Sequence, residues 1–295
     1  MKVLISGSTG FLGKYIVQEF ERLNYVIDTI GRGRHSSIIA DISKEIPPIL
    51  NTYDFVVHVA GKAHSVPKTK EEKQEFYNVN HIGTKNLLNS LKGKKPKTIV
   101  FISTVAVYGK DYGEMIDESF PLLGSTPYAE SKILAEQEII NFSKERNLNY
   151  IILRLPLISG INPPGNLGAM IKAIKKGYYF RIGKGLAQKS IVSSKDVAKL
   201  ILTLEGKSGI YNLTDGINPK FHEIEDYIAR LFNKKITAFP KWIFSILAKI
   251  GDFIPFFIID TNKLSKITAT LTFSTEKAKK ELNWNPKSAL NNITK

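Results

Sequence analysis

Short, continuous apolar runs alternate along the first half of this chain with longer stretches that place apolar residues every three or four positions. The runs fall at residues 3–6, 25–30, 55–59, 98–103 and 150–154, and the helix-like stretches at 13–23, 71–92 and 128–146. A strand that is apolar on both faces is buried on both, and helices between such strands are the connections of a parallel sheet. The pattern therefore predicts an α/β fold, a doubly wound parallel sheet with its ligands at the carboxyl ends of the strands. After about residue 155 the alternation loosens. Residues 162–168 read as loop, 170–176 and 192–205 as helices, 210–213 as a strand, and 219–259 as mostly helical. The expected organisation is a sheet domain over 1–160, with returning segments about 189–214. A smaller, mostly helical lobe follows from 161–188 and 215–295, and the ligand cleft lies between the two.

The 295 residues carry 42 Lys+Arg against 27 Asp+Glu, a formal charge of +15, and no cysteine. Disulfides, thiolate metal sites and a cysteine nucleophile are thereby excluded, and 5 scattered histidines give no basis for a metal centre. The basic balance points to anionic partners. Only 7 of the basic residues are Arg, the side chain suited to reading base edges, so nucleic acid is not expected. The N-terminus, MKVLISGSTGFLG, runs into glycines after a few apolar residues and reads as a buried strand rather than a secretion signal. The apolar stretch 242–259 is broken by Lys249, Asp252 and Pro255, which speaks against a membrane span. It reads as a helix covering the second lobe, with an interfacial amphipathic helix as the alternative. The cytoplasm is the expected address.

Three motifs carry chemistry. Gly7-Ser8-Thr9-Gly10-Phe11-Leu12-Gly13 follows the first strand and opens the first helix. Glycines at these points allow the sharp turn, the approach of a pyrophosphate to backbone N–H groups, and close packing of helix on strand. Dinucleotide binding is expected. At the end of the second strand a carboxylate would hold the ribose hydroxyls of NAD, but Gly31-Arg32-Gly33-Arg34 stands there instead. Arg32 and Arg34 could grip a 2′-phosphate, so NADP(H) is favoured and NAD(H) remains possible. Tyr128 and Lys132, four residues apart, share one helix face. An ammonium beside a phenol favours the phenolate and draws a group of ordinary pKa near 10 toward the working range.

Further segments add to these. His58-Val59-Ala60-Gly61, Asn80-His81-Ile82-Gly83-Thr84, Ser103-Thr104-Val105-Ala106-Val107-Tyr108-Gly109, Pro127-Tyr128-Ala129-Glu130-Ser131-Lys132 and the closing Leu282-Asn283-Trp284-Asn285-Pro286 lie in order along the chain. Together they resemble the extended short-chain dehydrogenase/reductase superfamily, the NAD-dependent epimerase/dehydratase family with its Rossmann-type sheet. The resemblance implies a cofactor site of Gly7, Thr9, Gly10, Phe11, Leu12, Gly13, Asp41, Ile42, His58, Ala60, Gly61, Asn80, Ser103, Leu155 and Pro156, with Tyr128 and Lys132. It implies Thr104, Tyr128 and Lys132 as the catalytic set. On the substrate side it implies Thr104, Val105, Tyr128 and Asn166, with Lys189 and Lys263 where relatives place diphosphate-binding cations. Asp196 is expected to cap the helix after it.

The implied substrate is a nucleotide-diphosphate sugar. The Gly31/Arg32 turn points to NADPH and net reduction, and the second lobe resembles bacterial UDP-4-keto-6-deoxy-N-acetylhexosamine 4-reductases of surface-polysaccharide synthesis. An NAD-dependent UDP-sugar 4-epimerase is the alternative. A non-catalytic dinucleotide-binding sensor is a third reading, which the intact Thr104, Tyr128 and Lys132 oppose. Relatives often pair the helices at 71–92 and 128–146 into a dimer bundle, so a homodimer is possible.

Overall fold

A computed structural model describes residues 1–253 and 260–294. Seven strands form the central sheet: β1 (Lys2–Ser6), β2 (Val26–Gly31), β3 (Ile38–Ile39), β4 (Phe55–His58), β5 (Thr98–Thr104), β6 (Asn149–Leu155) and β7 (Gly209–Asn212). Their order is β7-β6-β5-β4-β1-β2-β3, and every neighbouring pair is parallel. The order reverses at β1, so a crevice opens between the carboxyl ends of β1 and β4, the place where such sheets bind ligands. The α/β, doubly wound expectation is met.

Alternation along β1 explains the two faces. Val3 and Ile5 point into one core with Ile16 and Phe20 of α1 (Phe11–Arg22), while Leu4 points into the other with Leu87, Ala135 and Ile139. The second face is covered by α3 (Gly83–Ser90) and α4 (Pro127–Arg146), with α2 (Lys70–Phe76) set against α4 through Phe76 and Tyr128. Local signals set the ends of α4. Thr126 accepts from the Ala129 N–H, Pro127 opens the first turn, and Asn147 closes the helix in the left-handed conformation.

Several elements differ from expectation. The single helix expected over 71–92 is interrupted by a π turn, Tyr77–Ile82, that carries Asn80. The loop expected over 162–168 gives way at Gly165 to α5 (Gly165–Lys176), because Leu167, Met170 and Ile174 share a buried face. The helix α6 (Ser194–Ile201) is capped by Ser193, whose hydroxyl accepts from the Asp196 N–H; Asp196 is therefore not the cap, and its carboxylate accepts from the Lys287 N–H. Three two-stranded pairs join distant segments: Gly113–Ile116 with Leu271–Phe273, Leu157–Ser159 with Ile191–Ser193, and Phe180–Ile182 with Thr237–Phe239.

The second lobe is built on α5, α7 (Phe221–Leu231), α8 (Lys241–Phe253) and α9 (Thr261–Thr268), followed by α10 (Glu276–Leu282). The apolar stretch read from sequence over 242–259 lies partly outside the described residues. Its described part, α8, buries Ala248 but leaves Trp242, Ile246, Leu247 and Ile250 exposed. It is thus not the fully packed cover that its pattern suggested. Among the described residues no helix is long and apolar enough to cross a membrane.

Candidate active site

The glycine loop forms a cradle that no side chain can enter. Gly7 has φ +73° and its backbone lies against Ala60, where a Cβ would come within 2.6 Å of the Ala60 nitrogen. A Cβ on Gly13 would fall 2.0 Å from the Gly7 carbonyl oxygen. Gly10 caps α1 without any side-chain hydrogen bond, and no acidic residue stands in the first turn. The N–H groups of that turn therefore face the crevice uncapped, with the positive end of the helix dipole behind them. A dinucleotide pyrophosphate fits this arrangement, and Thr9, Phe11 and Leu12 lie in the same turn.

Behind the loop, His58 is fully buried and its hydrogen bonds fix its tautomer. Thr84 Oγ1 donates to the Asn80 carbonyl (2.6 Å), so it must accept from His58 Nε2 (2.8 Å). His58 Nδ1 then accepts from Ser6 Oγ (2.6 Å), which in turn accepts from the Ala60 N–H (3.3 Å). Burial and the nearby Lys132 ammonium push the imidazole down to about 3, so the ring stays neutral. The resulting relay ties the β4 end to the π turn.

The π turn carries Asn80 into the site. Its side chain donates to Ser131 Oγ (2.9 Å) and to the Lys62 carbonyl, and accepts from the Lys62 N–H (2.7 Å). A Cβ on Gly61 would lie 3.0 Å from Asn80 Oδ1 and 3.2 Å from Lys132 Nζ. Gly61, Asn80 and Lys132 thus converge, which the sequence spacing could not show.

Tyr128 stands in the first turn of α4, near enough to Thr104, the last residue of β5, for that hydroxyl to act on its phenol. Its ring meets Phe76 edge-on at 6.1 Å. Lys132, one turn on, donates to the Ile102 carbonyl (2.8 Å) and sits 4.5 Å over the Phe101 ring. The expectation that the ammonium draws the phenol down is not what these contacts give. Burial dominates and pushes Tyr128 up, with Thr104 opposing, while desolvation pushes Lys132 down to about 8. Burial thus favours the neutral form of the phenol.

Behind this pair lies a group that the motifs did not reveal. Glu136, a further turn along α4, receives Arg154 of β6 through both carboxylate oxygens (3.1 and 2.7 Å) and also the Ser103 hydroxyl. Arg154 also donates to Tyr108, which donates to Asn212 on β7. Ser103 is thereby turned toward Glu136. The available signal was the continuation of the Tyr128–Lys132 stripe by four residues, and a lone arginine inside an apolar strand.

The remaining candidates are dispersed. Arg32 and Arg34 are exposed just beyond β2, and Arg32 helps hold the Asp41 carboxyl below its usual range, after the larger effect of Ser43. Ile42 is buried against Gly83, and its carbonyl accepts from Asn86. Leu155 ends β6, followed by Pro156. Val105 begins the short helix after Thr104, and Asn166 is exposed in the first turn of α5. Lys189 donates to the Lys266 and Ala269 carbonyls at the end of α9, and burial pushes it down to about 8. Lys263 pairs with Asp260 at the other end of α9.

The model of the NAD dependent epimerase/dehydratase family matches residues 3–213. The chain belongs to this family. It is an NAD(P)-dependent enzyme of the short-chain dehydrogenase type. It is similar to a UDP-glucose 4-epimerase from Vibrio cholerae, 24% identical, with 98% of this chain and 92% of that one covered. The fold is shared with a UDP-glucuronic acid 4-epimerase from Bacillus cereus in complex with UDP-glucuronic acid and NAD. There the TM-score is 0.77 and the identity 18%, covering 99% of this chain and 96% of that one. It is shared too with RMD from Pseudomonas aeruginosa complexed with NADPH, at TM-score 0.72 and 20% identity, covering 99% and 98%.

Proposed function

We propose that this family member is an NADPH-dependent reductase that converts a 4-keto nucleotide sugar, of the UDP-4-keto-6-deoxy-N-acetylhexosamine type, to the alcohol. The observation that carries the direction is the turn beyond β2, where exposed Arg32 and Arg34 stand in place of a carboxylate and favour NADPH, a coenzyme spent in net reduction. Tyr128, half-buried in the first turn of α4 with its phenol pushed up by desolvation, is the proton donor that such a reduction uses. Bound NADPH supplies the hydride. Tyr128 gives its proton to the sugar oxygen at carbon 4, and the Thr104 hydroxyl steadies the same oxygen. Lys132 holds the nicotinamide ribose and compensates the phenolate left on Tyr128.

The choice of coenzyme rests on Arg32 and Arg34 beyond β2, where no carboxylate repels a 2′-phosphate. The remaining glycine-loop, β4, π-turn and β6 residues named above complete the cofactor site. On the substrate side, Val105 and Asn166 flank the sugar, and Lys189 and Lys263 meet the diphosphate. The Lys266 and Ala269 carbonyls orient the Lys189 ammonium, and the Asp111 carboxylate also acts on its charge. A cavity of about 290 Å³ beside α9, lined by Tyr179, Ile182, Leu186, Phe221 and Ile267, has room for the nucleoside.

A 4-epimerase is the second reading, favoured by the Vibrio cholerae relative. Absorbance at the NADPH band with a UDP-4-keto-6-deoxy sugar tests both. Stoichiometric NADPH consumption is expected, with NADPH bound more tightly than NADH and Arg32→Ala removing most of that difference. Interconversion of two UDP-sugar isomers without added coenzyme, and no NADPH consumption, would overturn the reductase reading.

A further inference from the structure

The second lobe carries an apolar face with no partner among the described residues. Trp242, Ile246 and Ile250 repeat every four residues along α8 and are 64%, 54% and 46% exposed. Leu247 flanks them. The strand Thr237–Phe239 leads through Pro240 into α8, and exposed Phe239 meets exposed Phe180 of the paired strand edge-on at 5.3 Å. Soluble chains rarely expose so many large apolar side chains together without a use for them.

Charge identifies the occupant. Residues 227–251 hold five basic residues and no Asp or Glu, and residues 146–195 hold nine basic residues and no Asp or Glu. Lys184, Lys234, Lys235, Lys241 and Lys249 are exposed around the apolar face. The carboxylates that flank residues 227–251 in the chain are engaged: Asp226 and Glu225 by Arg181, and Asp252 by Thr261. A second copy docking through this face would bring the same positive rim against itself, since a two-fold contact uses one patch twice. A helix with Trp and Ile on one side and lysines around it suits the boundary between headgroups and acyl chains, where anionic lipids attract the lysines.

We propose that the face formed by α8 and the strand pair Phe180–Ile182 and Thr237–Phe239 docks onto an anionic lipid bilayer surface. The attachment is peripheral and leaves the sheet and its crevice in water.

The chain has its own reporter, because of its 2 tryptophans Trp242 is exposed and Trp284 is 5% exposed. The full chain is mixed with vesicles of phosphatidylcholine alone or of equal parts phosphatidylcholine and phosphatidylglycerol, and both sedimentation and tryptophan emission are followed. Binding and a blue shift are expected only with the phosphatidylglycerol vesicles, and both are reversed by high salt. The exposed double variants Ile246→Ser/Ile250→Ser and Lys234→Glu/Lys235→Glu should each weaken sedimentation by about tenfold or more without moving the melting temperature. The proposal is overturned by absence of binding to phosphatidylglycerol vesicles, or by equal binding of parent and variants. A concentration-dependent dimer that the isoleucine variant dissolves would overturn it too, by making a second copy the occupant.

Discussion

Replacing Glu136 by Gln tests whether the buried ion pair behind Tyr128 organises the site. Glu136 and Arg154 are 1% and 3% exposed, and the pair is bidentate, so neither charge has water to fall back on. Gln keeps one acceptor oxygen but turns an NH2 group toward the guanidinium. Removing one partner of a buried pair costs about 3–5 kcal/mol, and the near-isosteric Gln belongs at the lower end. For a chain of this size about 3 kcal/mol lowers the melting temperature by roughly 5 °C. The consequence reaches Lys132 as well. Glu136 is the group that raises Lys132 against the desolvation that holds it near 8. Without that negative charge, Lys132 loses its proton at lower pH, and the alkaline limb of kcat/KM moves toward neutrality. Calorimetry and a pH–rate profile supply both readings. A double variant, Glu136→Met with Arg154→Leu, should recover much of the stability, because no charge is then left buried alone. If Glu136→Gln melts within a degree of the parent and keeps its alkaline limb, the pair neither supports the fold nor tunes Lys132.

Two further outcomes follow from the same geometry. Tyr128→Phe should lower kcat by about 10²–10⁴ while leaving the dissociation constant for the dinucleotide unchanged, because in the proposed reaction the hydroxyl transfers the proton and is no part of the glycine cradle; a variant with full turnover would refute the assignment. Gly13→Ala forces a methyl group to 2.0 Å from the Gly7 carbonyl, so titration should find dinucleotide binding lost and the melting temperature lowered, and parental affinity would contradict the loop reading.

The central sheet was legible because its strands are buried on both faces and read as unbroken apolar runs. The paired strands of three or four residues were not, since each partner lies far away in sequence and neither member is long enough to show a period. Gly113–Ile116 finds its mate only at Leu271–Phe273. The π turn escaped for a related reason: one extra residue per turn leaves the apolar spacing of the flanking helices intact. Its effect is local and chemical, aiming Asn80 at Ser131 and Lys62. The YxxxK pair could be placed on one helix face from spacing alone. The sign of the phenol's shift could not, because it depends on whether the lysine or burial prevails, and Lys132 is engaged by the Ile102 carbonyl.

α8 and the charge distribution show where a pattern stops and a tertiary contact begins. An amphipathic helix writes the same periodicity whether its apolar stripe faces the core or waits for a partner, so residues 242–259 read as a cover until the structure placed Trp242, Ile246 and Ile250 outside. Net charge is likewise silent about position. Of the +15, residues 146–251 account for +11, with 17 basic residues against 6 acidic ones. That span includes much of the second lobe and is the stretch in which Lys184, Lys234, Lys235, Lys241 and Lys249 surround the apolar face. A dinucleotide and a sugar-nucleotide diphosphate need only a few of these cations at the crevice. The excess lies where the fold also leaves its large apolar side chains uncovered, and two unspent resources on one face are more economically explained by one anionic, apolar-tailed surface than by two unrelated accidents of composition.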